Sequence, residues 1–350
     1  MIVFITWLRC LAAMLITNAH YTGIYPTDLI ANGGLIGDIL FFCVSGYCLT
    51  NLRVGFFRWY GKRLSRILPV VVIITGIYLI IGSYDFSIYA AGTEQTLLYR
   101  ALTAFGISYP KWLSWFIYPT YYHFVASILV LYVPYYWILK NKHTREHIPV
   151  VMGVILALYI AIYMLIYDKS YYHIDTVREP FIRFLFMESM LLGAWFKLND
   201  EKMRNKGHSL LYAGGMVFTF LIYFVSKQFF AGDGGKATLQ IFNQIIIFAL
   251  LFFIMRWFSS IDEHLEKAPG WLTRVVNLIA KLTLEIYLVQ YVLIELVQQM
   301  NLVFPLNWIL LTALIAVTAL ILHVVMDLIM KLIGAGICKV KGKQSESTSK

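Results

Sequence analysis

Three side chains near the start of the chain are of types that do chemistry, and they sit in stretches otherwise apolar. Arg9 and His20 flank the run CLAAMLITNA, and Asp38 follows in GGLIGDILFFCVSGY. Eleven residues make close to three turns of an α-helix, so Arg9 and His20 share one face, roughly 16 Å apart along the axis. They cannot touch. An imidazole can take a proton from a hydroxyl near neutral pH, and an Asp beside it fixes its tautomer and raises its basicity. Each residue also has a plainer explanation. Arg9 could form a structural ion pair with Asp38, Glu188 or Glu285, His20 could be an interfacial histidine at a helix end, and Asp38 an interfacial cap. The shared face of Arg9 and His20 favours function.

A basic cluster, FFRWYGKRLSRILP, comes next. Arg63 and Arg66 are three apart, and Arg58 and Lys62 four apart, so each pair shares a helix face. Arginine pairs suit multidentate binding of phosphates. A topological excess of cations beside a membrane explains the cluster equally well. Between the two groups, Gly33, Gly34 and Gly37 permit close backbone approach, Gly46 permits tight helix packing, and Ser45 can hydrogen-bond across helices.

The elements that must position these residues are membrane spans. Of 350 residues, 60% are hydrophobic and 14% charged, with a mean hydropathy of +0.71. A soluble surface needs more charge. The 24 Tyr and 9 Trp suit membrane interfaces. A span needs about 20 mostly apolar residues. Ten stretches qualify, at roughly 2–20, 34–52, 67–83, 113–139, 148–167, 181–197, 209–226, 237–256, 276–298 and 307–334. The first ends at His20 and Tyr21 without a small-residue cleavage site, so no cleavable signal is expected. At the bilayer centre an arginine costs at least about 2.5–3.5 kcal/mol, so Arg9 needs a polar cavity or a carboxylate.

The net charge of +10 would point to nucleic acid in a soluble protein. Here its location decides otherwise. Twenty of the 29 Lys and Arg fall in alternate loops and at the C-terminal end, seven in the opposite loops, and Arg9 and Lys281 within spans. Ten spans with both termini cytoplasmic fit that asymmetry, and nucleic acid is not needed to explain it. The expected fold is therefore an all-α integral membrane domain over 1–338, followed by a disordered polar cytoplasmic tail over 339–350. Among the outer loops 84–112 is the longest, and its TLLYRALTAFG piece is amphipathic enough to lie at the interface or re-enter the membrane. Loops 168–180 and 231–236 are short caps. Cys10, Cys43, Cys48 and Cys338 lack metal-ligand spacing and read as buried thiols, with no disulfide framework and no metal site.

Taken together, Arg9 with ten intervening residues before His20, the GG–GD–FF–SGY segment, and the Arg-x-x-Arg pair before Pro69 resemble the membrane acyltransferase 3 family. The resemblance is strongest over 7–69. It extends more loosely to about 5–335 through WLSWFIYPTYYHF, FLFMESMLLGAWF and TLEIYLVQYVLIEL. Three departures stand out. No carboxylate lies soon after Trp115, Gln290 stands where a His is common, and no esterase-like domain follows the tenth span.

The resemblance implies transfer of an acyl group, with acetyl the first expectation, from acyl-CoA to a hydroxyl of a surface or lipid-linked glycan. It implies acetyl-CoA as co-substrate, no permanently bound cofactor, and a bacterial inner membrane. Arg58, Arg63 and Arg66 would hold the CoA phosphates. His20 would act as base with Asp38 as its orienter, and Arg9 would stabilise the oxyanion or a CoA group. A transporter or flippase of a lipid-linked sugar is the alternative. A polysaccharide polymerase fits less well, because that class needs a large external catalytic loop.

Overall fold

The computed structural model describes residues 2–80, 123–166, 182–203, 206–230 and 239–347. Its elements are α1 (Val3–Ala19), α2 (Gly34–Leu49), α3 (Phe56–Ile80), α4 (His123–Lys140), α5 (Lys142–Glu146), α6 (Ile148–Ile166) and α7 (Ile182–Leu198). There follow α8 (Asp200–Met203), a 3-10 turn (Lys206–His208), α9 (Ser209–Phe230), α10 (Gln240–Ser260), α11 (Asp262–Glu266), α12 (Gly270–Lys281), α13 (Thr283–Gln299) and α14 (Leu306–Ser347). The readings of 84–112, of Trp115, and of the loops 168–180 and 231–236 fall outside the described residues.

The protein is an all-helical membrane protein. By length and composition α6, α9, α10 and α14 can each cross a bilayer, and α12 with α13 makes a bent fifth span. The shorter apolar helices Val3–Ala19, Gly34–Leu49 and Phe124–Lys140, with α3 and α7, bring the plausible spans to about ten. Each overlaps a stretch the sequence marks as apolar. α14 continues to Ser347, so it takes in most of the segment read from sequence as a polar tail.

Two spans depart from their expected form. The basic cluster is the start of α3 itself, which runs unbroken through Pro69; that proline forfeits one bond to the carbonyl four residues back. The ninth span breaks at Leu282, where the axis turns by 73°. Only one stripe of α12 suits burial: Leu272, Val276, Ile279 and Ala280 pack on Trp7 and Cys10 of α1. Lys281, expected inside a span, is the exposed last residue of α12.

α2 is the central element, and its glycines explain how. Gly37 and Gly46 are nine residues apart, two and a half turns, so they lie on opposite sides of the helix. On one side a Cβ at Gly37 would stand 2.8 Å from the Ala12 carbonyl oxygen, and one at Gly34 would stand 2.9 Å from the Ala19 Cβ. On the other, a Cβ at Gly46 would stand 2.0 Å from the Met190 carbonyl oxygen, and one at Gly193 would stand 1.9 Å from that of Cys43. α2 is thus clamped backbone to backbone between α1 and α7. Phe42 stacks on Phe186 at 4.4 Å beside this crossing. Gly33 starts α2 from a left-handed conformation, φ 99°, which favours glycine.

Both ends of α1 are tied down. The Phe4 amide donates to Asp262 Oδ1 at 2.7 Å, so a carboxylate sits at the positive end of the helix dipole. At the other end, Gln298 donates to the Thr22 carbonyl and Asn307 to the Ile24 carbonyl, each at 2.7 Å. Asn18 donates to the carbonyls of Ile30 and Asn32. These bonds pin the loop after α1 onto α13 and α14.

Candidate active site

His20 lies at that pinned end. It caps α1, its amide bonded to the Thr17 carbonyl, and its side chain is half-buried. Its Nε2 is 3.0 Å from the Tyr291 hydroxyl, and the two rings are 4.7 Å apart. Tyr291 belongs to α13. One turn earlier on the same face is Tyr287, its ring 6.1 Å from that of Tyr291 and nearly perpendicular to it. The Tyr287 hydroxyl lies within electrostatic reach of both Tyr291 and Asp38. Polar groups thus run from Asp38 on α2 through Tyr287 and Tyr291 to His20, across three helices. If the Tyr291 hydroxyl donates, His20 Nε2 carries the lone pair and Nδ1 the proton, the tautomer a base needs.

Arg9 lies in the second turn of α1, about three turns before His20. It is half-buried and makes no hydrogen bond or ion pair with any described residue. The ion pairs raised from the sequence are therefore not formed. Glu285 pairs instead with His323 Nδ1 at 2.7 Å, and Glu188 Oε1 has no partner among the described residues. Arg9 acts electrostatically on Cys48 and Tyr132. Arg63 also acts on Tyr132, Arg66 on Arg63, and Lys197 on Cys48. Arg9, Arg63 and Lys197, from α1, α3 and α7, are thus electrostatic neighbours of Cys48 or Tyr132 near the end of α2, with Arg66 beside Arg63.

Arg63 is preorganised. Its guanidinium lies 4.5 Å from the centre of the Trp59 ring, and Nη1 donates to the Trp59 carbonyl at 3.1 Å. Trp59 is buried against Tyr132 and Tyr136. A cation over an aromatic face gains attraction and loses rotational freedom. Arg66, one turn on, is exposed. Arg58 is exposed as well, but points about 140° away from Arg63 around the helix. The structure thus groups Arg63 and Arg66 and leaves Arg58 apart. Ser45 is half-buried beside Gly46 and makes no side-chain hydrogen bond among the described residues.

Several residues of this arrangement were not picked out from the sequence. Tyr287 and Tyr291 carry a visible signal, two tyrosines four apart in EIYLVQY, but attention falls on the neighbouring Gln290. Gln290 is fully buried, and neither of its amide atoms has a partner among the described residues. Lys197 reads as a loop cation that reports topology; it also lies 5.0 Å over the Tyr47 ring and 3.6 Å from Asp200. Among the described residues no three His, Cys, Asp or Glu side chains converge as metal ligands would.

The arrangement offers a base at one end of α1 and, about three turns back along it, a cation with others from α3 and α7 in electrostatic reach of the same side chains. That suits a reaction in which an anionic donor and a hydroxyl acceptor approach from different ends. No curated protein and no solved structure matches the chain. Residues 2–328 match the family profile described as an acyltransferase domain. That match takes in both ends of α1, the cation cluster and the tyrosines of α13, and on it the chain belongs to the acyltransferase 3 family, membrane proteins that transfer acyl groups.

Proposed function

We propose that the protein moves an acetyl group from acetyl-CoA to a hydroxyl of a cell-surface or lipid-linked glycan. The observation that carries this reading is the division of α1. His20 stands at one end against Tyr291, and Arg9, about three turns back, shares Tyr132 and Cys48 with Arg63 and Lys197 as electrostatic neighbours. The loop charges support a topology with both termini cytoplasmic, and the family match supports a membrane setting, which we read as a bacterial inner membrane. The cation cluster then faces the cytosol, where CoA is found.

In this reading Arg63 and Arg66 hold the CoA phosphates, with Arg58 at the rim. Arg9 belongs with them, because roughly 16 Å of helix separates it from His20. The long pantetheine arm carries the thioester along the Arg9 face towards His20. The acceptor hydroxyl displaces Tyr291 from His20 Nε2. Nε2 takes its proton as the hydroxyl oxygen bonds to the thioester carbonyl carbon. The carbon–sulfur bond then breaks, and the CoA thiolate leaves with the proton held by the imidazolium. Until the acceptor arrives, Tyr291 holds His20 in place, with Tyr287 and Asp38 behind it on the same polar path. The transfer is direct, without an acyl-enzyme.

The test is calorimetric titration of acetyl-CoA into folded, detergent-purified protein. Saturable binding is expected. Its absence, with the protein shown to be monodisperse, would favour a flippase of a lipid-linked sugar instead.

A further inference from the structure

A second polar site lies on another side of α7. Glu188 projects about 140° around that helix from Gly193, away from the contact with α2. Only 4% of its surface is exposed. It helps line a cavity of about 100 Å3 between α6, α7 and α10. Across that cavity the Tyr159 hydroxyl donates to Gln244 Oε1 at 3.0 Å. Leu156, Leu185 and Phe248 supply apolar wall. The mouth is at Gly153, exposed on α6, and Ile245, 39% exposed on α10. In an all-helical membrane bundle those faces meet lipid.

Glu188 Oε1 is enclosed and has no hydrogen-bond partner among the described residues. A buried carboxyl oxygen without a donor is destabilising. The neighbouring Tyr159 and Gln244 already satisfy one another in part. The missing group is a hydrogen-bond donor attached to something apolar enough to enter from the bilayer. A hydroxyl meets both needs, since it donates to a carboxyl oxygen and can accept from a neighbouring amide. An ammonium would bring a full charge against apolar walls at membrane depth, which is far less favourable.

We infer that this crevice binds a hydroxyl borne on an aliphatic chain, a lipid-like alcohol entering sideways from the membrane between α6 and α10. The site does not depend on the acyl-transfer reading, and its test needs no turnover.

The probe is 1-hexadecanol carrying a mid-chain diazirine, photolysed with the full-length protein in nanodiscs. Labelling is expected to be saturable, to fall on peptides from 148–166 and 240–260, and to be competed by hexadecanol but not by hexadecane. Glu188→Leu should lower it at least about fivefold, while Glu188→Gln, which keeps a carbonyl acceptor, should stay within about twofold of wild type. Gly153→Phe guards against misfolding. A Cβ there has nothing within 4 Å, so the ring can fill the mouth without strain, and labelling should again be lost. Wild-type labelling in either Glu188→Leu or Gly153→Phe would overturn the site. Equal competition by hexadecane would do so too, leaving an ordinary lipid-lined or water-filled crevice.

Discussion

The Tyr291 hydroxyl sits 3.0 Å from His20 Nε2, joining two residues 271 positions apart in the chain. In the absence of substrate this tyrosine holds the nitrogen that would take the acceptor's proton. The two side chains therefore separate by experiment. His20→Ala removes the base and should lower the transfer rate by a factor on the order of 10²–10⁴. Tyr291→Phe keeps the ring against His20 and removes only the hydroxyl. Its effect should be about 2- to 10-fold, the worth of one neutral hydrogen bond. Release of CoA thiol in the presence of acceptor reads both. Equal losses would mean that Tyr291 itself reacts.

Arg63 and Arg66 should govern the donor and leave the chemistry alone. Charge-assisted bonds to phosphate contribute about 1.5–3 kcal/mol each. Arg63→Ala with Arg66→Ala should therefore raise KM for acetyl-CoA by at least about 100-fold, with kcat little changed. The deficit should shrink as ionic strength rises, because salt screens the contacts that the double variant lacks. Arg58→Ala should matter much less, since Arg58 points away from the pair. Unchanged affinity in the double variant would remove the phosphate role.

Much of this arrangement follows from local periodicity, and what escaped is long-range. The common face of Arg9 and His20 needs only 3.6 residues per turn, and the glycine spacing in α2 marks a helix packed closely on its neighbours. The Tyr291–His20 contact has no local signature, because nothing near His20 names a partner 271 residues on. The bend at Leu282 was hidden for a different reason. Residues 276–298 are continuously apolar enough to read as one span, and the amphipathic stripe of α12 emerges only when 270–281 is taken as a helix of its own. Lys197 was legible as a charge, but its place beside Cys48 depends on how α7 crosses α2.

That crossing gives the third prediction. Gly46→Ala and Gly193→Ala each drive a Cβ into a carbonyl oxygen, 2.0 and 1.9 Å away. Backbone cannot swing aside as a side chain can. Each variant should lose at least about 1–3 kcal/mol, the usual range for overpacking, seen as a lower melting temperature in detergent. Gly153→Ala is the control. With nothing within 4 Å of its Cβ, it should melt at or slightly above the wild-type temperature, since alanine favours helix. If all three behaved alike, helix propensity rather than close packing would explain the result.

The last prediction concerns Asp262, which no sequence motif connects to the site. Its carboxylate accepts from the Phe4 amide at 2.7 Å and so anchors the start of the helix that carries Arg9 and His20. Asp262→Ala should cost about 0.5–2 kcal/mol, as lost N-terminal caps do. It should also speed hydrogen exchange at the first-turn amides of α1. The functional consequence should be lopsided. Fraying begins at Val3 and reaches Arg9 in the second turn, whereas His20 is held at the far end by Gln298, Asn307 and Asn18. KM for acetyl-CoA should rise while kcat stays close to wild type. Asp262→Asn, which keeps an oxygen acceptor but loses the charge opposite the helix dipole, should fall between the two. A drop in kcat equal to the rise in KM would show that α1 moves as one rigid body, with the cap setting the position of His20 as firmly as that of Arg9.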